Sequence, residues 1–223
     1  MEEGNTLRSV SVSTDNTING AQGNYSFTII NENAMPSGSD IEIHPPAQVE
    51  FSLSPVCEVA GTLVTAVTCS YSAGKVTAEV TFAGDAEAAG GSTIEFVVKD
   101  CKNPPSTAPS DTFQVFTFTS AGYKIDKLET GITVQTNTAA TITDITIIGD
   151  TAKIAEETAY IIRYTPINPH PEGTELEIDV PSGFTLGTIA CTSELTLDAA
   201  LTCTKIDKKI MVSGGFTATN SPV

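Results

Sequence analysis

The chain has 223 residues, enough for one large β-domain or two of ordinary size. Its formal charge of -16 opposes binding to a phosphate backbone or to an anionic membrane surface, so no nucleic-acid partner is expected. No apolar run approaches the ~18–20 residues needed to cross a bilayer, so no membrane insertion is expected of this segment. The opening MEEGNTLRSV lacks a basic-then-apolar leader, which fits either a signal sequence already removed or a segment cut from a longer chain.

Only 17% of residues are charged, Trp is absent, and Thr, Ser, Val and Ile abound. β-branched side chains lose little freedom in an extended backbone and pack well on a pleated surface, which favours sheet. In chain order, alternating runs predict strands at 8–13, 24–31, 39–44, 49–54, 62–70, 75–82, 92–99 and 112–119, with a last one at 130–136. In KVTAEVTF (75–82), Val76, Ala78, Val80 and Phe82 share one face, while Lys75, Thr77, Glu79 and Thr81 share the other. A period of two with one wet face is what a two-sheet sandwich requires. The expected fold is all-β, built of tandem immunoglobulin-like β-sandwich repeats. The Cys, Trp, Cys signature of antibody domains is absent, so the likeness is one of architecture. Helical periodicity is weak, and DTAKIAEETAY (150–160) reads as loop.

One stretch occurs twice. MPSGSDIEIHPP (35–46) aligns with HPEGTELEIDVP (170–181), so that Pro36 meets Pro171, Gly38 meets Gly173, Glu42 meets Glu177 and Pro46 meets Pro181, each pair 135 positions apart. Tyr25 meets Tyr160 at the same offset. Further on the offset becomes 134: Cys57 meets Cys191, Cys69 meets Cys203 and Phe82 meets Phe216. Such periodicity predicts a tandem duplication, with a first repeat at 1–138 and a second at 139–223, joined near NTAATI (137–142). Neither His44, which faces Asp179, nor His170, which faces Met35, belongs to the repeated pattern.

The counterpart of 90–136 is missing from the second copy, which is therefore expected to be incomplete at its C-terminal end. Open sheet edges and a hydrophobic groove would follow. Either a continuing chain of further repeats or strand addition from another subunit would cover them.

Both copies keep a C-x11-C pair, which predicts Cys57–Cys69 and Cys191–Cys203 disulfides and a location outside the cytosol, extracellular or at the cell surface. In the chain-entropy description, closing a loop of this size stabilises by roughly 3 kcal/mol. Cys101 is left over: unpaired, bridging to another molecule, or competing for one of the first copy's cysteines. Zinc is not expected, because C-x2-C pairs are absent and two histidines are too few for two sites. Asp85, Glu87, Asp144, Asp150, Glu156 and Glu157 offer carboxylates for a stiffening calcium, but they lack D-x-D-x-D spacing, so neither a metal nor a cofactor is predicted.

No constellation of catalytic residues is visible, and the chain is not expected to be an enzyme. Asp40 and Glu42 lie two apart on a predicted strand and so share one wet face. Covalent glycans have better support. Asn24-Tyr25-Ser26 is an N-x-S acceptor inside a predicted strand, where only an outward Asn would serve. NPPSTAPSDT (103–112) offers Ser106, Thr107, Ser110 and Thr112 as candidate O-glycosylation positions, or forms a rigid Pro-rich loop.

The stretch KDCKNPPSTAPSDTFQVFTFTSAGYKID (99–126) resembles a motif of large repetitive surface proteins of ciliates and related protists, in which it closes one β-rich repeat and leads to the next. It is similar, too, to glycosylated extracellular fibrils built from such repeats. The resemblance implies a secreted or surface location, glycosylation and a structural role, with no catalytic residues. The expectation is a structural subunit of an extracellular glycosylated fibre or surface coat. Copies of the chain would form a homopolymer end to end, with strand complementation as one means of joining. The alternative is a cell-surface adhesin whose loops hold a carbohydrate or protein ligand, which saturable binding by the monomer would favour.

Overall fold

The computed structural model describes residues 4–142, 144–151, 155–171, 173–193 and 201–214. The chain forms two compact units, Met1–Thr138 and Ala139–Val223. Among the described residues no helix is long and apolar enough to cross a membrane.

The first unit contains β1 (Asn5–Thr6), β2 (Ser9–Thr14), β3 (Gln22–Ile30), β4 (Ser39–His44), β5 (Cys57–Ala60), β6 (Val64–Ser72), β7 (Lys75–Phe82), β8 (Thr93–Lys102), β9 (Gln114–Phe118) and β10 (Lys124–Leu128). They make a six-stranded sheet in the order β1-β10-β9-β4-β7-β6 and a four-stranded sheet in the order β2-β3-β8-β5. All the pairings are antiparallel except β1 with β10. Period-two patterning supplies the core: Tyr25, Phe27 and Ile29 of β3 and Ile94, Phe96 and Val98 of β8 are buried, as are Ile41 and Ile43 of β4 and Val76, Ala78, Val80 and Phe82 of β7. Phe27 and Phe96 stack at 5.7 Å, and Phe113 meets the edges of this group at 5.9 Å from Phe27 and 6.3 Å from Tyr25. Such aromatic contacts add modestly to the burial that holds the unit together.

Two predicted strands are not strands. The segment 49–54 makes a single bridge, Glu50 to Lys102, although Val49 and Phe51 are buried. It carries the chain from β4 in one sheet to β5 in the other, so its apolar side chains close an end of the sandwich, with Phe51 6.4 Å from the Tyr25 ring. The segment 130–136 also lies outside the ladders. Its backbone pairs with 110–113 through Ser110 N to Val134 O (2.8 Å) and Phe113 N to Ile132 O (2.7 Å). The return bonds end on side-chain hydroxyls: Val134 N donates to Ser110 Oγ at 3.0 Å and Ile132 N to Thr112 Oγ1 at 3.1 Å. Hydroxyls taking the place of carbonyls satisfy the N–H groups without forming a regular ladder.

The second unit has β11 (Ile145–Gly149) paired with β12 (Tyr160–Tyr164), and a three-stranded sheet β13-β15-β14 from Leu176–Asp179, Lys209–Ser213 and Thr202–Ile206. Its registers repeat those of the first unit. Val10 faces Ile29 and Thr14 faces Tyr25; Ile145 faces Tyr164 and Gly149 faces Tyr160, every position 135 further on. Ile41 faces Ala78 and Ile43 faces Val76; Leu176 faces Val212 and Ile178 faces Ile210. Ser72 faces Lys75 as Ile206 faces Lys209. The turns recur as well. Ser39 N donates to Pro36 O and Thr174 N to Pro171 O, with Gly38 at φ 79° and Gly173 at φ 78°, a backbone region open to glycine at little cost. Val49 N donates to Pro46 O at 3.0 Å and Phe184 N to Pro181 O at 3.1 Å. Phe216, the proposed partner of Phe82, lies outside the described residues.

Candidate functional site

The Cys57–Cys69 disulfide joins β5, an edge of the four-stranded sheet, to β6, an edge of the six-stranded sheet, with the Cα atoms 5.6 Å apart. It therefore staples the two layers at their rim. Cys191–Cys203 forms a second bridge, Cα atoms 5.8 Å apart, with Cys203 on β14. Two disulfides in a chain of this size belong to an oxidising compartment.

Cys101 is free and fully buried on β8. Its thiol lies 3.5 Å from Val98 O and 3.6 Å from Lys99 O. Burial first, and the charge of Asp100 second, push its pKa up to about 12. A neutral thiol inside the core cannot reach a second molecule, so the intermolecular role expected as one option for Cys101 is not available to the folded unit.

Asn24 sits on β3 beside a register shift between Gly23 and Tyr25, and it faces outward, half-buried, as does Ser26. Its backbone N and its Nδ2 both donate to the Asp15 carboxylate at 2.7 Å. Its Oδ1 accepts from Asp100 N at 3.3 Å. The two hydrogen bonds from Asn24, backbone first, hold Asp15 below the usual carboxylate range. The acceptor amide is thus on the solvent side of the sheet but already tethered.

The Pro-rich segment divides. Ser106 is exposed, its hydroxyl accepting from Ala108 N at 3.1 Å, and Thr107 is half-buried, with its carbonyl accepting from Gln135. Ser110 is buried and Thr112 half-buried, and both hydroxyls hold the 132–134 segment while donating to backbone carbonyls. A sugar on Ser110 Oγ has no room in the folded unit and would break two bonds, so that position is structural. Thr112 Oγ1 is similarly engaged.

The acidic stretch around His44 proves to be a surface ion-pair group. Glu42 Oε1 lies 2.7 Å from Lys75 Nζ, and Glu42 Oε2 lies 3.4 Å from His44 Nε2. Burial pushes Glu42 upward, but hydrogen bonds from Lys75 and His44 outweigh it and leave the carboxyl below its ordinary value. Asp40 is raised, by burial first and by Glu79 and Glu42 next; Glu79 is its directly opposed neighbour on β7. Among the described residues no group of three or more His, Cys, Asp and Glu is placed to hold a metal ion. The side chain of Asp85 lies outside the described residues.

Sequence reasoning missed β10. Its KIDKL sequence hides a strand because an acidic residue, Asp126, stands at a buried position. That carboxylate accepts from Glu32 N and Asn33 N, both at 3.0 Å, and from Asn33 Nδ2 at 2.6 Å, fixing the turn after β3. Three convergent N–H donors satisfy a buried carboxylate.

No protein-family model and no curated protein matches the chain. Among solved structures, the chain is similar to a non-cellulosomal cohesin from the hyperthermophilic archaeon Archaeoglobus fulgidus, with a TM-score of 0.29 and 11% identity over 56% of this chain and 89% of the cohesin. It is similar also to the type II cohesin dyad from the adaptor ScaA scaffoldin of Acetivibrio cellulolyticus, with a TM-score of 0.28 and 15% identity over 94% of this chain and 77% of the dyad. The chain itself is an all-β protein carrying two disulfides.

Proposed function

We propose that the chain is a structural segment of an extracellular fibre or surface coat, made of tandem immunoglobulin-like β-sandwich repeats. The observation that carries this reading is the recurrence of strand register: β11/β12, β13/β15 and β14/β15 repeat β2/β3, β4/β7 and β6/β7 at fixed offsets, with the same turns and the same disulfide spacing. Duplicated units of one architecture, each carrying one disulfide, are suited to bearing load in series. The orders β2-β3-β8-β5 and β10-β9-β4 follow the ABED and GFC arrangement of an immunoglobulin domain, and the β6–β7 hairpin is added beyond β4. The resemblance at 99–126 to protist surface proteins agrees with this role. Asn24, Ser106 and Thr107 are the positions at which glycans would project into solvent.

Electron microscopy of the native material, with and without reductant, tests the reading. Filaments with an axial repeat of stacked sandwiches are expected, loosening when the disulfides are reduced. Dispersed monomers under both conditions would overturn it and favour an adhesin.

A further inference from the structure

We propose that Asn19-Gly20 is a covalent modification site: a deamidation site held shut by the segment 103–105 and reached by water only when that segment lets go. The inference stands on the first unit alone and does not depend on the fibre reading.

The residue pair sets the chemistry. Asn19-Gly20 is the one Asn-Gly pair in the chain. Glycine has no Cβ, so its backbone nitrogen can come close to the side-chain carbonyl of the residue before it. In the reaction the Gly20 nitrogen loses its proton to water and bonds to Asn19 Cγ. The Cγ–Nδ2 bond breaks, and ammonia leaves after taking a proton from water. A second water then opens the cyclic imide at either carbonyl, giving aspartate or isoaspartate with nothing oxidised or reduced.

The folded unit withholds each requirement. Asn19 is 3% exposed and Gly20 is buried, which keeps water from the pair. Gly20 N donates to Pro104 O at 2.9 Å, so the nucleophile's proton is held on a carbonyl. Asn19 Nδ2 donates to Pro105 O and Asn19 Oδ1 accepts from Asn137 Nδ2, both at 3.4 Å, so the leaving amide is tethered. Ala21 N donates to Ile18 O at 3.3 Å, closing a turn that carries Gly20 at φ 71°.

Asn103 is the clasp. It is buried, and its Nδ2 donates to Asn16 O at 2.6 Å and to Ile18 O at 2.8 Å. Its backbone N donates to Ala21 O at 2.8 Å, and its Oδ1 accepts from the Tyr25 hydroxyl at 2.8 Å. Residues 16–21 lie between β2 and β3, and these bonds tie them to the chain leaving β8.

Conversion makes an opening permanent. The imide nitrogen has no hydrogen left for Pro104 O. Aspartate sets a carboxylate against Pro105 O, two acceptors facing each other at a buried position. Isoaspartate adds a methylene to the backbone and moves the Gly20 nitrogen away from its acceptor. A local opening that otherwise leaves no trace becomes a lasting covalent change.

The test incubates the full 223-residue protein in warm, mildly alkaline buffer, native or unfolded in urea, and follows Asn19 by peptide mass spectrometry and isoaspartate detection. In urea, conversion at Asn19 is expected ahead of the other asparagines, and the native protein is expected to be protected. Gly20→Ala should remove that preference in urea, an arm that needs no folding. Tyr25→Phe keeps the ring but takes the donor from Asn103 Oδ1, and should speed native conversion about tenfold. Asp126→Ala loosens the turn at the other end of β3 and should not, where circular dichroism shows both variants folded. Refolded chains converted at Asn19 should lose slow amide exchange at Asn103. Equal rates in native and unfolded protein overturn the inference, as does an unmoved rate in folded Tyr25→Phe. Equal acceleration by Asp126→Ala also overturns it, by making unfolding of the whole unit the route. Full recovery of slow exchange at Asn103 after conversion overturns the permanence of the opening.

Discussion

Glu42 and Lys75 form a diagonal ion pair across β4 and β7, 2.7 Å apart, and Glu177 and Lys209 form the same pair across β13 and β15. Both sites couple two strands whose inner faces hold apolar side chains, so the contact sits on the wet side of the sheet and helps to fix register. Because the Glu42 carboxyl is held below its ordinary value, the stability it contributes is fully present above the unfolded carboxylate value of ~4.3 and is lost as pH falls through the folded one. Lys75→Gln is therefore expected to lower stability by about 0.5–1 kcal/mol at neutral pH. The difference should vanish in acid, once Glu42 is protonated. Urea midpoints of both proteins at neutral and acidic pH check this; an equal deficit at both would mean that Lys75 acts through packing.

The disulfide at the rim of the first unit gives a second expectation. Cys57→Ser with Cys69→Ser should cost roughly 3 kcal/mol while leaving the strand content unchanged, because both strands keep their ladders. Thermal unfolding followed by circular dichroism measures it. A loss of native strand signal before heating would show that the bridge is needed to form the sandwich.

Cys101 should resist alkylation in the native protein and react at the rate of global unfolding, since the thiol is buried and its pKa is pushed up to about 12. Mass spectrometry of a timed labelling reaction is the check. Rapid stoichiometric labelling under native conditions would mean that the β3–β8 pair opens locally. Cys101→Asp, which places a charge in the same core, is expected to prevent folding of the first unit.

Asp126→Ala removes the acceptor of three N–H bonds, leaving the Glu32 and Asn33 amides without their partner. A cost of roughly 3 kcal/mol is expected. Amide exchange at Glu32 and Asn33 should accelerate more than exchange in the centre of β3. Unchanged exchange there would assign the stability of that turn to Asn31, whose Nδ2 donates to Asn33 O at 2.7 Å and to Ala89 O at 3.1 Å.

Alternation along the chain was enough to place the long central strands. KVTAEVTF turned its apolar face inward as the pattern required, because a period of two leaves only one way to bury Val76, Val80 and Phe82. The same reasoning failed where tertiary contacts reassign a residue. Val49 and Phe51 alternate like a strand but close an end of the sandwich, and KIDKL looks too charged to be a strand until Asp126 finds its three donors. Among the candidate sites, the N-x-S acceptor was legible as a motif. That Ser110 is engaged and Ser106 exposed was not, since hydroxyl accessibility depends on the return of 132–134 beside 110–113.

By itself, then, the sequence determined the all-β character and the spacing of recurrent turns and cysteines, because these depend on local backbone preference and periodicity. Which sheet each strand joined, and the burial that silences Cys101, were decided only by tertiary structure. Those outcomes turn on contacts between residues far apart in the chain, such as β3 with β8 and β4 with β9, whose pairing no local pattern encodes.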